Sequence, residues 1–116
     1  MDRSVVIAAL AIALSGCATW QDESRQCFAT EPLFSPTSAS ELKAARFVKR
    51  ELASDCRSSG LECNLKLHRE PNGNIAITAS RAIVSESPLV CTRLEGGFET
   101  YVFSPDGRFV EIVLGL

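Results

Sequence analysis

Five cysteines, at positions 17, 27, 56, 63 and 91, and one histidine, His68, carry most of the chemistry open to this 116-residue chain. A zinc site wants Cys or His ligands in closely spaced pairs. No cysteines here are two residues apart and there is no second histidine, so neither a metal nor a cofactor is expected. His68 as a general base would need a nucleophile or carboxylate in reach, and the sequence nominates none. It reads as an ordinary surface residue. Glu99 and Glu111 are expected on one face of a hairpin, where a carboxylate pair is conceivable, but solvent contacts explain them better. The serines lack nucleophile-elbow glycine spacing, and no glycine loop of the phosphate-cradling kind is present. The chain reads as a non-enzyme with no catalytic residue, its cysteines structural rather than redox-active.

What must position these cysteines begins at the N-terminus. Met1-Asp2-Arg3 is a weakly basic leader, and Val5 to Leu14 is an unbroken apolar run. That run is too short to cross the membrane, which takes a helix of roughly 20 residues, but it suits the apolar region of a secretory signal. Leu14-Ser15-Gly16-Cys17 closes it. This stretch resembles the lipobox of bacterial lipoproteins: Leu, two small residues, then the modified Cys. The resemblance covers about the first 17 residues and implies no fold. It implies a diacylglyceryl thioether on Cys17, cleavage before it, and acylation of its amine. It also implies that Ala18, where an Asp would favour the inner membrane, sends the protein to the periplasmic face of the outer membrane. Several acyl chains would hold it firmly, since each buried CH₂ contributes about 0.8 kcal/mol. The alternatives are a secretory signal cut near Ala18 and a short buried helix.

With Cys17 taken by lipid, Cys27, Cys56, Cys63 and Cys91 remain, an even number suited to an oxidising compartment. Four cysteines allow three connectivities, and spacing alone does not choose among them. The preferred pairing is Cys56–Cys63, closing the Arg57-Ser58-Ser59-Gly60 turn, with Cys27–Cys91 tying the tether to the sheet. The formal charge of −2 comes from interspersed acids and bases, which argues against a nucleic-acid partner.

Residues 1–16 are thus expected as a signal peptide, 17–38 as a lipidated N-terminus and tether, and 39–116 as one small domain. The tether holds Pro32 and Pro36, and Trp20 sits three residues from Cys17, at headgroup level, free in the linker or packed on the domain. Phe28, Leu33 and Phe34 suggest that its second half packs on the domain. Ser38 and Glu41 have capping-box spacing, so a helix should start near Ser38 and end around Ser54. Leu42, Ala45, Phe47, Val48 and Leu52 recur at helical spacing, while Lys43, Arg46, Lys49 and Arg50 form a solvated basic face.

Two similar turns follow, Glu70-Pro71-Asn72-Gly73-Asn74 and Ser104-Pro105-Asp106-Gly107-Arg108. Each has the signature of a three-residue hairpin loop with glycine in the left-handed position. In the first hairpin Leu67 should face Ile77, Leu65 face Ala79 and Leu61 face Ile83, with Cys63 on the same inward side. In the second, Val102 should face Val110, Thr100 face Ile112 and Phe98 face Leu114 as the core side. The other side would carry Phe103 with Phe109, Tyr101 with Glu111 and Glu99 with Val113. Such an outward aromatic face marks an interaction surface, unless the Phe28–Phe34 segment or a Leu89–Leu94 strand covers it.

The expected architecture is α+β, one helix on an antiparallel sheet of about four strands. Helix followed by meandering strands is similar to cystatin-like layouts, an analogy of fold that carries no function. The expected activity is that of a non-enzymatic module in the cell envelope, inhibitor- or immunity-like. It would bind membrane lipid through Cys17 and a protein partner through Glu99, Tyr101, Phe103, Phe109, Glu111 and Val113. The alternatives are a structural envelope component resting on Lys43, Lys49 and Arg50, and an unrecognised hydrolase using His68.

Overall fold

The computed structural model describes residues 26–56, 60–94 and 98–115. Helix α1 spans Ala39–Glu51 and a single further turn, α2, spans Ala53–Cys56. Five strands follow: β1 Leu61–Arg69, β2 Ile75–Ser85, β3 Val90–Arg93, β4 Glu99–Phe103 and β5 Phe109–Leu114. The fold is α+β, as its pattern of apolar spacing implies. Cys17 and the apolar run before it lie outside the described residues.

The helix starts where its cap dictates. Ser38 Oγ accepts the Glu41 N–H at 3.1 Å, and Glu41 Oε1 accepts the Ser38 N–H in return. Glu41 also accepts from the Thr37 N–H and pairs with the Arg69 guanidinium at 3.1 Å. The cap is therefore tied to the end of β1. Lys49 and Arg50 fall in the last turn, where cations suit the negative end of the helix dipole.

All pairing is antiparallel, in the order β1-β2-β4-β5, with β3 also paired to β2. The long β2 takes β1 along one side and, along the other, β4 beside Ile75–Ala79 and β3 beside Ala82–Ser85. Side chains alternate between two faces. One carries Cys63, Leu65, Ile75, Ile77, Ala79, Tyr101 and Phe103, which form the core with Ala44, Ala45, Val48 and Leu52 of the helix. The other carries Asn64, Ala76 and Ala82, also buried but of low relief.

The first hairpin has the expected register throughout: Leu67 with Ile77, Leu65 with Ala79, Leu61 with Ile83. Both preferred disulfides are formed, Cys27–Cys91 and Cys56–Cys63. Their loops of 64 and 7 residues imply roughly 4 and 2 kcal/mol of stabilisation in the chain-entropy account.

Two expectations are corrected. The domain does not begin at residue 39. Cys27 is bridged to the sheet, Phe28 is fully buried and Phe34 enters the core, so at least residues 27–38 belong to the domain. The second hairpin also keeps its expected register only at Phe103–Phe109. A bulge between Val102 and Phe103 shifts the rest, so that Val102 pairs with Glu111, Tyr101 with Ile112, Thr100 with Val113 and Glu99 with Leu114.

Replacing Ser38 by Ala should cost about 1 kcal/mol, read as a lower denaturant midpoint at unchanged slope. The Thr37 N–H, with help from the Ser38 N–H and Arg69, holds the Glu41 carboxyl below its ordinary value. The stability this adds is complete above the ordinary carboxylate range and is lost as pH falls through the lowered pKa. Glu41→Gln should therefore flatten the acid limb of the stability curve.

Candidate protein-binding surface

The segment from Gln26 to Ser38 wraps the sheet. Its first part lies on the low-relief face, where the Glu62 carboxylate accepts the N–H groups of Gln26 and Cys27 at 3.0–3.1 Å. The Arg93 guanidinium sits 4.5 Å from the Phe28 ring centroid, donates to the Cys27 carbonyl at 3.2 Å and reaches Glu31 at 3.8 Å. A cation over an aromatic face is attracted by the ring quadrupole, so Arg93 clamps Phe28 beside the Cys27–Cys91 bridge. The chain then passes over the β1 edge, and Phe34 enters the helix-side core. A cleft of about 270 Å³ remains there, lined by Pro32–Ser35 and Leu65–Leu67. Lys66 is the one charged side chain in that lining, which leaves no acid–base pair.

The expected aromatic face turns inward, a correction with a clear cause. Tyr101 and Phe103 lie opposite Ile77 and Ile75 of β2, and that face of β2 is the one under the helix. Phe47 of α1 meets Phe103 edge-on at 5.5 Å, meets Tyr101 at 6.4 Å and stacks on Phe109 at 4.9 Å. Tyr101 and Phe103 are buried and cannot contact a partner. The covering element is the helix, not the tether or β3. Glu99 is occupied as well: it pairs with Arg81, which reaches Asp55 at 3.4 Å. Burial, then the nearby Glu99 carboxylate, push the Tyr101 phenol up to about 12.

Phe109, Glu111 and Val113 do stand at the surface. They share it with residues expected in the core: Phe98, Val110, Ile112 and Leu114 are exposed. The bulge also places Glu111 on the low-relief face with Val102, whereas Glu99 lies on the helix side. Any acid–base partnership between those two carboxylates is thereby removed. His68 is exposed opposite Ala76. Among the described residues no group of His, Cys, Asp or Glu could hold a metal ion, and no helix is long and apolar enough to cross a membrane.

What the structure brings together is a bare apolar edge. β5 ends the sheet, and every one of its residues is exposed. Its apolar side chains range from 42% exposure at Phe109 and Ile112 to 67% at Leu114. Edge strands are ordinarily blunted by lysine, proline, a bulge, a covering segment or short length, and the bulge in β5 lies at its start, ahead of Glu111–Leu114. β5 contains neither lysine nor proline, and Glu111 is its one charge. Ile83, Leu89 and Val90 add a second, smaller exposed tract near β3. The sequence signal for the edge was Phe109-Val110-Glu111-Ile112-Val113-Leu114 itself, apolar on both faces as an ordinary two-sided strand is not. Comparison with models of known families, with curated proteins and with solved structures finds no match.

Phe103→Ala should cost roughly 3–5 kcal/mol, the range for a large buried aromatic, while Phe109→Ser should cost well under half of that in the same denaturant titration. The protein's single tyrosine gives a clean second readout: phenolate absorbance should rise only near pH 12 in the folded state. The sign follows from linkage: stability is unaffected below the ordinary phenol pKa and falls as pH climbs from there towards 12. A folded-state midpoint at the ordinary value would place Tyr101 at the surface.

Proposed function

We propose that this chain is a small lipid-anchored lipoprotein of the bacterial cell envelope whose domain is a non-enzymatic protein-binding module. The address is supported by Leu14-Ser15-Gly16-Cys17 behind a signal-length apolar run, and by four other cysteines that pair completely once Cys17 is set aside. Two disulfides in a small domain fit an oxidising compartment, and Ala18 favours the periplasmic face of the outer membrane. Membrane lipid held through Cys17 is then the first partner.

The single observation that carries the binding role is the exposed, largely apolar β5 edge. Its apolar side chains and its outward row of main-chain groups can both be satisfied by another polypeptide, and contiguous exposed apolar surface of this kind marks interaction sites. A partner at this edge replaces the expected contact face: Phe109, Glu111 and Val113 stay in the site, Phe98, Val110, Ile112 and Leu114 join it, and Glu99, Tyr101 and Phe103 leave it. An inhibitor- or immunity-like role would use such an edge.

Cells fed radiolabelled palmitate should label the wild-type chain and not Cys17→Ser, and the variant should leave the membrane fraction. An unlabelled wild type would overturn the anchor. Separately, Val113→Lys should keep the fold and both disulfides while abolishing protein capture from envelope extracts. Unchanged capture by that variant would remove β5 from the binding site.

A further inference from the structure

We infer that the exposed face of α1 docks on anionic phospholipid headgroups and lays the domain against a membrane surface. The β5 edge takes no part in it, so the inference goes beyond the protein-binding role proposed above.

Four cations, Lys43, Arg46, Lys49 and Arg50, fall within eight consecutive residues of α1. At 3.6 residues per turn they occupy about a third of the helix circumference, on the side away from Ala44, Ala45 and Val48 in the core. Lys43, Arg46 and Arg50 are exposed and Lys49 is half-buried. Arg69, Arg81, Arg93 and Arg108 each pair with a carboxylate, whereas among the described residues no carboxylate pairs with any of the four on α1. Lys49 and Arg50 are held over the rings of Phe34 and Phe47, each 5.8 Å from the centroid. The two carboxylates of α1 are engaged elsewhere: Glu41 caps the helix and holds Arg69, and the charge of Glu51 acts on Tyr101.

Such crowding destabilises the helix by itself. Arg46 stands three residues from Lys43 and Lys49 and four from Arg50, spacings at which like charges are neighbours and repel. The helix dipole favours Lys49 and Arg50 in the last turn, but it gives nothing to Lys43 and Arg46 farther forward. An anionic surface relieves all three repulsions at once. Leu42 selects lipid among anionic partners. It is 42% exposed in the midst of the cations, and an apolar side chain ringed by basic ones suits the boundary of headgroups and acyl chains. Phosphates take the charges there while the leucine enters the acyl layer. Where Cys17 carries the proposed anchor, Gln26 follows only nine positions later. The domain then stands no more than about 30 Å from the lipid, and tethering makes even weak docking an intramolecular event.

The test uses the full chain with both disulfides intact, on vesicles of phosphatidylcholine alone or in an equal mixture with phosphatidylglycerol. A water-soluble lysine-acylating ester, read by mass spectrometry, reports on Lys43 and Lys49. Lys66 is the internal standard, exposed and placed by strand alternation on the other face. On mixed vesicles Lys43 should react several-fold more slowly, relative to Lys66, than on phosphatidylcholine. Salt at about 1 M, which screens charges beyond about 3 Å, should erase the difference. Arg46→Gln with Arg50→Gln keeps both reporters and should abolish the shielding at an unchanged circular dichroism spectrum, since each cation at an anionic surface multiplies partition about fivefold. Equal reactivity on the two lipids overturns the docking, as does shielding that survives the salt or the double substitution. Shielding of Lys66 in place of Lys43 overturns it too, and so do lysines shielded by an added envelope protein but not by vesicles. The anchor fails separately. A chain that takes up no palmitate, yet is shielded when added to mixed vesicles from solution, loses the anchor and keeps the docking; a palmitate-labelled chain with unshielded lysines does the reverse.

Discussion

The arrangement of the molecule depends on the unequal relief of the two faces of β2. One face presents Ile75, Ile77 and Ala79, the other Ala76, Thr78, Ser80 and Ala82. The taller side chains need a thick cover, and α1 supplies it with Ala44, Ala45, Val48 and Leu52, small enough in part for the helix to sit close. The flatter side is closed by much less. Phe28, one strap of chain and the bridge at Cys27 suffice where no large side chain projects. Because β2 pairs with β1, β3 and β4, its alternation is imposed on all of them. Arg81 falls on the tall side by that rule, and the carboxylates of Glu99 and Asp55 meet it there. A cation this far withdrawn from water, with its side chain 14% exposed, is tolerable only with such partners.

Local signals in the sequence were legible to the residue. The capping box at Ser38 and Glu41 is a contact between groups three positions apart, and the first hairpin is set by the length of its turn. The Cys56–Cys63 bridge followed from those two placements. Legibility stopped where a choice depended on partners distant in the chain. Glu99-Thr100-Tyr101-Val102-Phe103 offers two plausible inner faces, and only the pairing of Tyr101 with Ile77 decides between them. The aromatic bulk of Phe47 was a clue: a helix ring facing the sheet wants rings beneath it. The bulge at Val102 has no glycine or proline to announce it, and it moves every later residue of β5 to the opposite face. The strap from Cys27 to Ser38 read as a tether because Pro32, Ser35, Pro36 and Ser38 break it up and no periodic apolar pattern runs through it. Phe28 and Phe34 are nonetheless deeply placed, while Leu33 stays exposed.

The same displacement redrew the candidate site. Burying Tyr101 and Phe103 moved the apolar excess of the second hairpin from a face to an edge. A face binds by area and shape, whereas an edge also offers directional hydrogen bonds and therefore selects an extended partner.

The disulfide at Cys27–Cys91 also bears on the proposed export of the chain. Where glutathione and thioredoxin keep thiols reduced, neither bridge persists, and Phe28 and its strap lose the covalent hold that fastens them to β3. A domain this small, with one face closed largely by that strap, has little margin without it. For a chain exported as proposed, such weakness would be useful: translocation requires a pliable polypeptide, and oxidation on the far side would then fasten the strap and make the crossing hard to reverse.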